Sequence, residues 1–104
     1  MIPFVVQGWQ VLTGELRFDR VVDLRPEDRY ARGHLPGAVH IPYPAFQEEA
    51  LERLALGETV LVVDAGGARA AEMATWLRAR GYQAGYLEGG LAAWVGPLET
   101  PRRG

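Results

Sequence analysis

Asp64-Ala65-Gly66-Gly67-Ala68-Arg69 is the stretch richest in potential chemistry. Asp64 offers a carboxylate that could attack a phosphoryl group or take a proton from water. Gly66 and Gly67 let the backbone curl with successive N–H groups facing inward, as anion-binding loops do, and Arg69 adds a full positive charge. Two readings stand side by side: a cradle for an anion, and a tight turn in which the glycines only avoid steric clash. Elsewhere Asp23 and Arg25 could pair as acid and base or as ions. His34 and His40 could exchange protons near neutral pH, and Trp9, Trp76 and Trp94 could line a ligand site.

What the chain lacks removes whole classes of reaction. Its 104 residues include no Cys, Ser, Lys or Asn. Without Cys there is no thiolate nucleophile, persulfide, disulfide, zinc–thiolate site or iron–sulfur cluster; without Ser or Lys there is no serine triad and no Schiff base. No metal-ligand cluster accompanies the loop, and neither a metal nor a cofactor is expected. With 11 basic and 13 acidic side chains the net charge is −2, which removes the electrostatic basis for nucleic-acid binding. The only basic cluster, Arg102-Arg103, reads as a solvated tail. No apolar run approaches the roughly 20 residues of a membrane span. Met1-Ile2-Pro3-Phe4 lacks the basic start and long apolar stretch of a signal peptide, so the expected location is the cytoplasm, with neither nucleic acid nor membrane as partner.

Alternating apolar runs and helix-period stretches must position these residues, and they indicate an α/β domain with a mainly parallel sheet. Thr59–Val63 is the clearest strand, too uniformly apolar to have a wet face. Val21–Leu24, Ala38–Ile41, Gly85–Leu87 and Phe4–Val6 supply further strands. Phe46–Leu56 carries Phe46, Ala50, Leu51, Leu54 and Ala55 on one face and charged residues opposite, which predicts an amphipathic helix. Ala70–Arg80 repeats the pattern and stops at Gly81. Pro26–Arg32 reads as a short helix and Leu91–Trp94 as a single turn. The domain is expected to span residues 1–96, with 97–104 a loose tail. A loop between a buried strand's carboxyl end and a helix start is where open α/β sheets place ligands, so Asp64–Arg69 is well placed.

Three ordered segments resemble the rhodanese-like family. Asp23-Leu24-Arg25 with Gly33-His34-Leu35-Pro36-Gly37-Ala38 is similar to that family's Asp-x-Arg and Gly-His-Ile-Pro-Gly-Ala signature. Asp64–Arg69 is similar to its active-site pattern Cys-x-x-Gly-x-Arg at identical spacing, and Leu87-Glu88-Gly89-Gly90-Leu91-Ala92-Ala93-Trp94 to its closing Leu-Glu-Gly-Gly-x-x-x-Trp. The resemblance implies a five-stranded, mainly parallel sheet flanked by helices on both faces. It also implies structural roles for Asp23, Arg25, His34 and Gly37, and sulfur transfer through a loop cysteine in ordinary members.

This chain has Asp64 where the family pattern has the cysteine. A carboxylate is a hard oxygen nucleophile and forms no stable persulfide equivalent. It also opposes anionic sulfur donors: two like charges about 4 Å apart repel by roughly 4 kcal/mol at an effective dielectric of about 20. The expectation is therefore a loop whose Asp64 oxygens accept the amides of Gly66 and Gly67, with Arg69 as ion partner. The expected function is a non-catalytic binding or regulatory module, with an unknown protein or a small anion meeting the Asp64–Arg69 loop. The alternatives are an enzyme that uses Asp64 for hydrolytic or phosphoryl chemistry, and a pseudo-domain of an obligate assembly. Among the tryptophans, Trp76 is expected to be partly exposed and to serve as a partner contact.

Overall fold

The computed structural model describes residues 1–101. Thr59–Val63 is too apolar to face water on either side, and the chain solves this by making it the middle strand of a five-stranded parallel sheet. Its neighbours are Arg20–Asp23 and Gln83–Leu87, while Val39–His40 and Val5–Val6 form the two edges. In chain order these are β1 (Val5–Val6), β2 (Arg20–Asp23), β3 (Val39–His40), β4 (Thr59–Val63) and β5 (Gln83–Leu87), arranged β1-β5-β4-β2-β3.

Side chains alternate along β4, and each face has its own core. Val60 and Val62 point to a layer that contains Phe46, Ala50, Met73, Ala74 and Leu77. These come from α3 (Phe46–Arg53) and α4 (Ala68–Ala79). Leu61 and Val63 point the other way, to Val6, Leu35, Ala38 and Leu87, with Val11, Tyr30, Leu91 and Trp94 packed at the rim. That second face is covered by α1 (Gly8–Leu12), α2 (Glu27–Arg32) and a 3-10 turn at Gly90–Ala93. The sheet with helices on both faces is as the resemblance implies. Among the described residues, no helix is long and apolar enough to cross a membrane.

Several boundaries differ from the sequence reading for local reasons. Helix α3 ends at Arg53 rather than Leu56, because Leu54 turns extended and drops into the core while its N–H still donates to Ala50. Helix α4 begins at Ala68, two residues early, because a side chain upstream satisfies its first amides. Helix α1 was not foreseen: it is five residues long, and its start is marked only by Gln7, whose N–H donates to Gln10 Oε1 at 2.9 Å. Residues expected to be loose beyond Gly96 are anchored at Glu99, which pairs with His34 through backbone bonds of 2.8 and 2.9 Å. Arg102-Arg103, read as a solvated tail, lies outside the described residues.

Candidate functional site

Asp64 follows β4 directly and is only 7% exposed. Its Oδ1 accepts the Gly67 N–H at 2.5 Å, and its Oδ2 accepts the N–H groups of Arg69 at 3.0 Å and Ala70 at 3.2 Å. These amides open α4, where the first N–H groups of any helix lack intrahelical partners. Asp64 therefore caps the helix from outside it, and its negative charge sits at the positive end of the helix dipole.

Two features of the expected loop need correction. The amides that hold Asp64 are those of Gly67, Arg69 and Ala70, without Gly66. Arg69 takes part through its backbone, not as an ion partner: its guanidinium stacks 4.5 Å from the centre of the Tyr43 ring. The reason is directional. A residue in the first turn of α4 projects its side chain outward while its N–H points back along the axis, and the carboxylate lies on the axis.

Glycine is required at two positions here. Gly67 has φ of +108°, and a Cβ there would stand 3.2 Å from the Gly89 nitrogen. Gly90 has φ of +61°, and a Cβ there would come within 2.6 Å of the Asp64 carbonyl oxygen. This close approach lets the loop after β5 bond to the loop after β4: Leu91 N–H donates to the Asp64 carbonyl at 2.9 Å and Ala92 N–H to that of Ala65 at 3.0 Å. Gly66 has open space where its Cβ would be.

One strand over, Asp23 is in register with Val63 and is 1% exposed. The Arg25 backbone N–H and Nε both donate to its Oδ1, at 2.9 and 3.0 Å, while a terminal guanidinium nitrogen reaches Oδ2 at 2.8 Å and the Gly33 carbonyl at 2.7 Å. The pair spans β2 and the end of α2, with every strong acceptor used. His34 donates through Nδ1 to the Tyr30 carbonyl at 3.0 Å, and His40 through Nε2 to the Arg25 carbonyl at 2.6 Å. A carbonyl oxygen can only accept, so each of those ring nitrogens carries its proton. Gly37, with φ of +78°, turns its N–H to Glu99 Oε1 at 2.7 Å.

Tyr30, which lies between Arg25 and Gly33 in the first of the motif-bearing segments, joins both histidines. Its ring stacks 4.0 Å from that of His34 and 4.7 Å from that of His40, and its hydroxyl donates to the Ala38 carbonyl at 2.7 Å. Burial pushes its pKa up, and the charges of Asp23 and Glu99 add to the shift, with Arg53 opposing it. Spacing also sets Tyr30 and His34 one helical turn apart. Tyr43 bonds Glu72 Oε1 at 2.6 Å, and this bond is the chief cause of its own raised pKa.

The three tryptophans do not form one wall. Trp76 packs edge-on against Phe46 and is covered by Arg80, 3.9 Å above its ring, on the α3–α4 face. Trp9 and Trp94 lie on the opposite face, and Trp9, at 55% exposed, is the open one. Sequence spacing placed Trp76 at a partly exposed position, offset from the stripe of α4, and it is half-buried there; spacing could not show that Trp9 is the more open or that Arg80 lies over the Trp76 ring. No group of three or more metal-ligating side chains converges among the described residues.

The protein family described as Rhodanese-like domain matches residues 10–97. No curated protein matches significantly. Among solved structures, a rhodanese-like domain protein from Staphylococcus aureus is 29% identical, with TM-score 0.81 over 94% of this chain and 98% of its own. A rhodanese-like domain from Anabaena sp. is 27% identical, with TM-score 0.82 over 96% of this chain and 81% of that one. A thiosulfate sulfurtransferase from Pseudomonas aeruginosa is 26% identical over 92% of this chain but only 19% of its own, with TM-score 0.77.

Proposed function

The chain belongs to the rhodanese-like domain family, and on that premise we propose that it is a non-catalytic member acting as a binding module. The observation that carries this reading is the position of the Asp64 carboxylate. Three converging amides suit an anion, and here the anion is covalently part of the chain. A thiolate at this position could accept a sulfane sulfur; a carboxylate cannot, and with no cysteine anywhere the reaction has no substitute nucleophile.

The same geometry argues against Asp64 as a nucleophile or general base. Both oxygens are engaged by N–H donors, and the side chain is nearly closed off from solvent. A small diffusible anion is disfavoured at the loop because the amides that would hold it are taken. A protein partner is the occupant this reading favours.

Thiosulfate:cyanide sulfurtransferase assays test it. The wild-type protein is expected to show no turnover above the uncatalysed rate. Asp64→Cys, which presents a thiolate to the same amides, is expected to gain measurable activity. Wild-type turnover comparable with that of cysteine-bearing relatives would overturn the proposal.

A further inference from the structure

We propose that the face formed by α1 and the segment Trp94–Leu98 docks an extended peptide that carries an arginine beside an aliphatic residue. This deepens the binding-module reading and rests on it. The face gathers several of the chain's exposed large apolar side chains, among them Trp9, Leu12 at 47% and Val95 at 88% exposed. Two shallow hollows lie here and have Leu12 and Trp94 in common.

The hollows differ in charge, and this difference selects the ligand. In the first, Glu88 is the only ionisable lining side chain, and Trp9 and Trp94 line the same hollow. Its Oε1 accepts a bond from neutral Gln7 at 2.6 Å, and no cation pairs with it among the described residues. A guanidinium can donate to such a carboxylate while lying against an indole, and its planar fork does both at once better than a compact ammonium. The second hollow has no charged lining; Leu35 and Pro36 bound it, which suits an aliphatic side chain.

A hydrogen bond and a close approach fix part of this face, which lowers what binding must order. Trp94 Nε1–H donates to the Pro97 carbonyl at 3.1 Å. A Cβ on Gly96 would lie 2.8 Å from Leu12 Cδ1 and 2.5 Å from the Trp94 ring, so a larger residue there would have to displace one of these side chains. Gly90 lines the first hollow and also packs on the Asp64 backbone, which makes this face continuous with the loop.

Amide and indole N–H resonances of the labelled full chain, titrated with acetyl-Ala-Arg-Ala-Leu-Ala-amide and with its Arg→Glu counterpart, test the proposal. The indole signals of Trp9 and Trp94 are expected to move and that of Trp76 to stay. The arginine peptide is expected to bind at least about fivefold more tightly than the glutamate peptide. Glu88→Gln, an exposed and nearly isosteric change, is expected to remove that preference while leaving the rest of the spectrum in place. Equal binding of the two peptides, shifts centred on Trp76, arginine amide binding as tightly as the pentapeptide, or self-association that covers Trp9 would each overturn the proposal. So would the absence of indole shifts up to about 2 mM peptide, a limit that corresponds to negligible affinity. A wild-type protein that is inert toward thiosulfate but fails these titrations loses only the docking face. One that turns thiosulfate over loses the binding-module reading itself.

Discussion

At Asp64 a single side chain decides both what the loop can do and how α4 begins. A carboxylate that satisfies three helix amides is a structural group, whatever else it does. Removing it leaves buried donors with nothing to accept them. Asp64→Ala is expected to lower stability by about 2–4 kcal/mol, read from the midpoint of urea unfolding. Asp64→Asn should fall between, because its amide oxygen can accept but its NH₂ group faces other donors. If Asp64→Ala unfolds at the same urea concentration as the wild type, the amides have another partner and Asp64 is not the cap of α4. The carboxylate at this position was legible in the sequence; the amides that take it were not. Spacing suggested Gly66, Gly67 and the Arg69 side chain, whereas backbone direction selected Gly67, Ala70 and the Arg69 N–H.

The elements follow hydrophobic pattern where the pattern is strong and depart from it where packing intervenes. Strand β4 has the bounds that its apolar run predicts, because burial on both faces leaves such a segment no other place. Helix α3 stops early because Leu54 gains more by entering the core than by extending a helix into the turn before β4. Edge strand β1 depends on one absent side chain. A Cβ at Gly85 would stand 2.5 Å from the Pro3 carbonyl oxygen and 3.1 Å from that of Phe4. Gly85→Ala is therefore expected to push β1 away from β5 at a cost of about 1–3 kcal/mol. Hydrogen exchange should then speed up first at the amides of Tyr86 and Glu88, which donate to Phe4 and Val6. Uniform acceleration across the sheet would show instead that β1 and the core unfold as one unit.

On the scale of the whole molecule, Tyr30 ties α2, the turn before β3 and both histidines together, and its ionisation reports on that assembly. Its folded pKa is raised above the ordinary value near 10, mainly by burial. The fold thus favours the neutral phenol. The resulting stability is complete below a pH of about 10 and is lost as pH climbs through the folded value. Tyr30→Phe is expected to be less stable by about 1 kcal/mol at neutral pH, having lost its bond to Ala38. Its stability should also fall less steeply than that of the wild type between about pH 10 and 12. Parallel alkaline slopes for the two proteins, measured by urea unfolding across that range, would assign the alkaline loss to other tyrosines such as Tyr43.

The sequence by itself determined the fold class, the family and the absence of cysteine chemistry. These rest on residue types, on periodicity and on motifs whose order along the chain survives without coordinates. Only the tertiary structure decided which amides meet Asp64, that Arg69 stacks on Tyr43, that Glu99 is anchored to His34, and that Trp9 is more open than the half-buried Trp76. Each of these depends on side-chain direction and on what a distant segment covers. A linear pattern can state that two groups exist and how far apart they lie along the chain, but not whether a third one stands between them.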